Sequence, residues 1–263
     1  MPLPATRIGN LTVSRLVMGG NPISAFSHAG AKRDRAMLDY FTAANVKALF
    51  RRCEAAGINT VFLRADKHVM RVLHEYRNEG GTLQWFAQTA PEAEPLKNID
   101  QARAFGAAAV YLHGGAIDTE FAKGNIDVVK RQFDHARAAG LPVGVASHVP
   151  ANVRKIVELG WKPDFFMICL YNIPGYQGKL GAGEDEKFVE SDRVKALVLC
   201  KEIGVPCVAY KIFGAGRVNP RKAFEEVGRY LKPIDLVNVG MYPPDNPRIV
   251  EDNAALATEL LPR

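Results

Sequence analysis

Four times along the chain an amphipathic stretch runs into a glycine and then directly into a short apolar segment: AAGINTVFL at 55–63, AFGAAAVYL at 104–112, AAGLPVGVA at 138–146 and EIGVPCVAY at 202–210. Glycine at such a junction adopts the left-handed backbone that ends a helix, because it has no Cβ to clash. Pro142 and Pro206 then stand at strand starts, where a missing N–H is tolerated. Before Gly57 the apolar residues Val46, Leu49, Phe50 and Cys53 fall on one helical face, and before Gly140 so do Ile126, Val129, Phe133 and Ala136. The apolar segments lack the polar alternation of a half-exposed strand, so both of their faces are buried, as in a parallel sheet covered by helices.

Read through the whole chain, this unit places strands near 15–19, 58–64, 82–88, 108–113, 142–147, 164–169, 206–211 and 235–239, with helices between them. Unbroken strand–helix alternation argues for an α/β fold, and eight such units in 263 residues argue for closure into a single (β/α)8 TIM barrel spanning 1–263. The opening ATRIGNLTVS predicts a β-hairpin turning at Gly9-Asn10 and plugging the far end of the barrel. Connections 20–44 and 173–190 are longer than the barrel needs; both leave C-terminal strand ends and are candidate lids.

The charge balance of +6 contains no lysine or arginine block and no interleaved aromatic stripe, which argues against nucleic acid and fits a small-molecule substrate. Cys53, Cys169, Cys200 and Cys207 lie in or beside apolar segments without a C-x-x-C pair, as reduced buried thiols do. With no secretory-type N-terminus and no run of about 18 apolar residues, a cytoplasmic protein with no membrane contact is expected. The oligomeric state is left open.

Reactive side chains in such barrels project from the C-terminal strand ends. His113 follows the strand of AAAVYLHGG, His148 follows the next one, and Lys211 ends the strand of CVAYK, where burial lowers an ammonium pKa and suits it to acid, base or Schiff-base chemistry. Tyr210 and Lys211 are adjacent, so regular alternation would send them to opposite faces. The turn Gly214-Ala215-Gly216-Arg217 offers backbone N–H groups and a guanidinium to a phosphate. Glu92, His113 and His148 follow three successive strands, a set able to hold a divalent metal, with Asp66 and His68 as further ligands.

Several segments, in order, resemble the aldo-keto reductase family: TRIGNLTVSRLVMGGNP, RRCEAAGINTVF, VYLHG with His113, ASH at 146–148, CLYN at 169–172 with Asn172, AYKIFGAGR at 209–217 and NPRIVEDNAALATEL. The resemblance covers essentially the whole chain. It implies the barrel, reduction of a small carbonyl or oxidation of a polyol or sugar-like substrate with NADP, and cofactor contacts from Asn172, Tyr210, Gly214, Gly216, Arg217 and Arg248, with Asn253 nearby. Of the family's catalytic groups only the histidine matches. Phe62 stands at the aspartate position, Gln88 or Thr89 at the lysine position, and no tyrosine follows in LRADKHVMR. His148, where the family has an asparagine, and Lys211 are the candidate replacements beside His113. A metal-dependent isomerase, lyase or hydrolase and a non-catalytic ligand-binding barrel are the alternatives.

Overall fold

The computed structural model describes residues 2–171 and 188–263. An antiparallel hairpin, β1 (Ala5–Ile8) and β2 (Leu11–Ser14), precedes the barrel strands β3 (Leu16–Gly19), β4 (Thr60–Arg64), β5 (Gln84–Gln88), β6 (Ala109–Leu112), β7 (Val143–Ser147), β8 (Phe165–Cys169), β9 (Cys207–Tyr210) and β10 (Leu236–Gly240). All eight pair in parallel in the order β10-β3-β4-β5-β6-β7-β8-β9 and close on themselves. Each overlaps the position expected from the sequence. Helices α1 (Ala31–Tyr40), α2 (Ala43–Ala55), α3 (Lys67–Asn78), α4 (Pro95–Ala104), α5 (Gly114–Ala122), α6 (Ile126–Ala138), α7 (Pro150–Glu158), α8 (Glu190–Glu202), α9 (Pro220–Tyr230) and α10 (Ile249–Leu260) cover it. Among the described residues no helix is long and apolar enough to cross a membrane.

The helix stripes read from the sequence are the buried faces: Val46, Leu49, Phe50 and Cys53 on α2, and Val129, Phe133 and Ala136 on α6, with Ile126 half-buried against the same core. Gly57, Gly106 and Gly140 take positive φ at the helix–strand junctions as expected. Gly204 does not, because α8 ends on Ile203 with an extended backbone that already breaks the helix.

The barrel interior is a separate apolar cluster. Ile8 and Val13 of the hairpin enter it from below, so the hairpin plugs the end opposite the strand C-termini. Above them Phe62, Phe86, Tyr111 and Phe165 pack ring against ring at 4.8–6.3 Å. Gly144 makes the room: a Cβ there would lie 2.3 Å from the Phe165 ring. Below the plug Arg15, 1% exposed, donates to three backbone carbonyls, those of Lys232 (2.9 Å), Asp235 (2.5 Å) and Pro262, and ties the chain terminus to β10 and α9. The long 20–44 connection contains α1 and forms one wall of the mouth. Most of 173–190, and Asn172, lie outside the described residues.

Because the aromatic layer has no slack at this point, Gly144→Ala is expected to lower stability by about 1–3 kcal/mol. Urea unfolding would measure it, and an unchanged midpoint would mean that the layer repacks freely.

Candidate active site

The strand C-termini open into a cavity of about 910 Å³. It is lined by His113, His148, Tyr210 and Lys211 at the ends of β6, β7 and β9, and by Gly216, Asp245 and Asn253 in the segments after β9 and β10. This is a normal size for a small-molecule site.

His113 directly follows β6 and caps α5: its Nδ1 accepts the Ala116 N–H at 3.2 Å, while its own N–H donates to Thr89 Oγ1 at 2.9 Å. Since Nδ1 accepts, the proton of the neutral ring sits on Nε2. Burial, with the nearby His148 and Arg64 charges, pushes the His113 pKa down to about 4, so this imidazole is a neutral hydrogen-bond donor at neutral pH.

One turn along α5, Asp118 is buried, and its carboxylate collects four hydrogen bonds. Ser147 Oγ (2.5 Å) and Asn152 Nδ2 (2.9 Å) donate to Oδ1; His148 N and His148 Nδ1 (both 2.9 Å) donate to Oδ2. Burial raises the Asp118 pKa, but the donors, His148 first, outweigh it and hold the carboxyl below its ordinary value. Because Nδ1–H of His148 is given to Asp118, Nε2 is the ring's basic atom. Burial lowers the His148 pKa; the Asp118 hydrogen bond opposes that, and Lys211 adds to it. Gly114 lets the ring in, for a Cβ there would stand 3.2 Å from His148 Cε1. The edge of the pair faces Tyr210, with ring centroids 5.9 Å apart.

Tyr210 and Lys211 both line the cavity, against the alternation expected for a strand. The strand ends at Tyr210, and Lys211 adopts a left-handed backbone with φ 62°, which turns its side chain back over the Tyr210 ring, Nζ 5.9 Å from the centroid. Burial lowers the Lys211 pKa. The alternatives at the family's lysine position separate: Gln88 lines the cavity, whereas Thr89 is buried and serves His113. Phe62 belongs to the aromatic layer.

The turn after β9 expected to offer its N–H groups to a phosphate bonds most of them internally. Gly214, Gly216, Arg217 and Val218 all donate their N–H groups to carbonyls within the same turn. Arg217 donates to the Gly214 carbonyl at 3.3 Å and lies over the Phe188 ring at 4.2 Å. Gly214 packs on Tyr171, while Gly216 lines the cavity. Arg248 is largely exposed and faces Asp252 at 3.5 Å. The metal set does not assemble either: Glu92 is paired with Arg64, Asp66 caps α3 through the Val69 N–H (2.8 Å), and His68 is exposed. Among the described residues no three His, Cys, Asp or Glu side chains come together as metal ligands.

Two polar residues of the mouth escape a reading by motif. Asp118 lies on the inner face of α5 four residues after Gly114, so helical spacing from the HGG turn would have found it. Asn238 interrupts the apolar strand LVNVG, lines the cavity, and turns Oδ1 toward Gly19, where it has no hydrogen-bond partner among the described residues.

No protein-family model matches the sequence, and no curated relative does. Solved structures do match. A Pseudomonas aeruginosa protein provisionally described as an aldo-keto reductase is 14% identical, with a TM-score of 0.66 over 98% of this chain and 94% of that one. The aldo-keto reductase AKR11C1 from Bacillus halodurans, in its holo form, is 13% identical, with a TM-score of 0.63 over 99% and 92%. The chain shares the (β/α)8 barrel fold of these proteins. A truncated 3-deoxy-D-arabino-heptulosonate 7-phosphate synthase from Thermotoga maritima, 10% identical, also matches with a TM-score of 0.59 over 98% and 90%. At these identities the likeness is one of fold.

The lowered His113 pKa has a consequence for stability. The unfolded chain binds this proton near pH 6.5 and the folded one near pH 4, so the neutral ring's contribution is complete above 6.5 and is lost as the pH falls toward 4. Thermal melts across that window are expected to show a falling Tm. His113→Asn, which keeps an acceptor for the Ala116 N–H, should flatten the slope; an equally steep slope in the variant would assign the effect elsewhere.

Proposed function

We propose that the chain is a cytoplasmic oxidoreductase of the aldo-keto reductase type, interconverting a small carbonyl compound and its alcohol, including polyol or sugar-like substrates, with a nicotinamide dinucleotide of the NADP or NAD class. The observation that carries this reading is the buried Asp118–His148 pair at one end of a cavity that continues to the segments after β9 and β10. The residues present fit such a cofactor in three respects. Tyr210 offers a ring beside the acid–base groups, Gly216 leaves open space where a Cβ would be, and Asn253 supplies a buried amide at the far end. Arg217 and the glycine turn are not required by it as a preformed phosphate clamp.

When bound, the dinucleotide accepts or supplies the hydride. The remaining work falls to the chain itself. In the oxidative direction the neutral His148 takes the substrate hydroxyl proton on Nε2, and the imidazolium formed is stabilised by the Asp118 carboxylate at 2.9 Å. In the reductive direction the same atom returns the proton. His113, with its proton fixed on Nε2, is oriented to hydrogen-bond the reacting oxygen in either direction. Lys211 on the same wall adds positive charge where negative charge develops on that oxygen. Closing the site from water falls to the 20–44 wall, whose Phe26 and Arg33 line the cavity.

Purified protein assayed with both dinucleotides against aldehydes, ketoses and polyols should show nicotinamide-linked turnover. His148→Ala is expected to lower kcat by about 10²–10⁴-fold. Asp118→Asn should lower it by a similar factor, since an amide no longer fixes the proton on Nδ1. Turnover that survives both substitutions would remove His148 from the mechanism, and no turnover with any substrate class would remove the oxidoreductase reading itself.

A further inference from the structure

We infer that the far limb of the cavity selects a dinucleotide whose adenosine ribose is unphosphorylated, NAD rather than NADP. The inference rests on the nicotinamide reading above. His113 and His148 follow β6 and β7, across the closed barrel from β10 and β3, so with the reacting ring beside the imidazoles the adenosine falls toward the segments after β3 and β10. That end is bounded by Arg33, Arg221, Asp245, Asn246, Asp252 and Asn253.

A 2′-phosphate would bring nearly two negative charges into this limb, and it needs a cation not already balanced. Among the described residues, each guanidinium in or beside this limb is opposed by a carboxylate. Arg33 pairs with Asp245 and stacks over Tyr242 at 4.5 Å. Arg221 is held in a two-pronged pair with Glu259 at 2.7 and 2.8 Å, and Glu225 stands 4.0 Å away. Arg248, on the rim, faces Asp252 at 3.5 Å. Asp245 and Asp252 themselves face the cavity, and Asn246 Nδ2 donates to Asp252 at 2.9 Å, fixing that carboxylate in place. Two fixed carboxylates are acceptors for the hydroxyls of a ribose and for an exocyclic amine, and they repel a phosphate dianion. Arg217, over Phe188, sits on the glycine turn and does not line this limb.

Calorimetric titration of the full chain with NADH and NADPH, and with ADP and adenosine 2′,5′-bisphosphate as fragments, tests this without turnover. NADH should bind at least about tenfold more tightly than NADPH, and ADP more tightly than the bisphosphate. Asp245→Asn, which releases Arg33, and Asp252→Ser, which releases Arg248, should each bring the NADH-to-NADPH ratio to within about threefold, with thermal melts confirming that the variants fold. Equal or tighter binding of NADPH to the unsubstituted protein overturns the inference and leaves the oxidoreductase reading standing. A ratio unchanged in both variants overturns the assignment to these carboxylates. Failure of both dinucleotides to bind overturns the nicotinamide reading and this inference with it.

Discussion

A carboxylate buried without a cation is tolerated only when hydrogen bonds replace the water it has lost, and the mouth of this barrel is built around one. Asp118 accepts from a serine hydroxyl, a backbone N–H, an imidazole and an amide, which draws together α5, the end of β7 and the first turn of α7. Removing the donors of such a group costs on the order of 3–5 kcal/mol. The same bonds that satisfy the charge fix the tautomer and the angle of His148, so the packing of this corner and the placement of the imidazole depend on the same groups. The glycine pair at 114–115 belongs to that packing: His148 fills the space that a side chain at Gly114 would need.

Beneath this polar corner the barrel is dry. Phe62, Phe86, Tyr111 and Phe165 form a continuous aromatic layer over the apolar residues of the hairpin plug. An aspartate at position 62 would need partners that this layer does not offer, so the aromatic at that site and the polar groups on β6, β7 and β9 are consistent with one another. The polar side chains of the mouth accordingly lie farther around the rim, where His113, His148 and Lys211 line the cavity.

The barrel was legible because it is written in periodicity. The helix stripes on α2 and α6, the junction glycines Gly57, Gly106 and Gly140 and the Gly9-Asn10 turn each obey a local rule that survives in the folded chain. The site was legible only where strand ends are enough to locate a residue, as for His113, His148 and Lys211. Where the outcome depends on which hydrogen bonds win, local rules failed. The glycine turn after β9 bonds most of its N–H groups internally, Glu92 is taken by Arg64, and a positive φ at Lys211 undoes the alternation that would have parted it from Tyr210. Asp118 carries no motif of its own; its importance comes from burial and from partners 29–34 residues away in sequence.

On the function proposed above, the differences from the resembled pattern at Phe62, at Gln88 and in the missing tyrosine share one physical basis. A tyrosine starts from a pKa near 10 and becomes a useful acid at neutral pH only beside a cation such as a lysine, which in turn needs a carboxylate to hold it. An imidazole starts near 6.5 and needs no such tuning; it needs a fixed tautomer and an orientation. Asp118 provides both from α5, the helix that follows β6. With His148 in the acid–base role proposed above, the positions on β5 and β4 would have no acid to tune, and Gln88 and Phe62 would serve to shape the cavity and its floor.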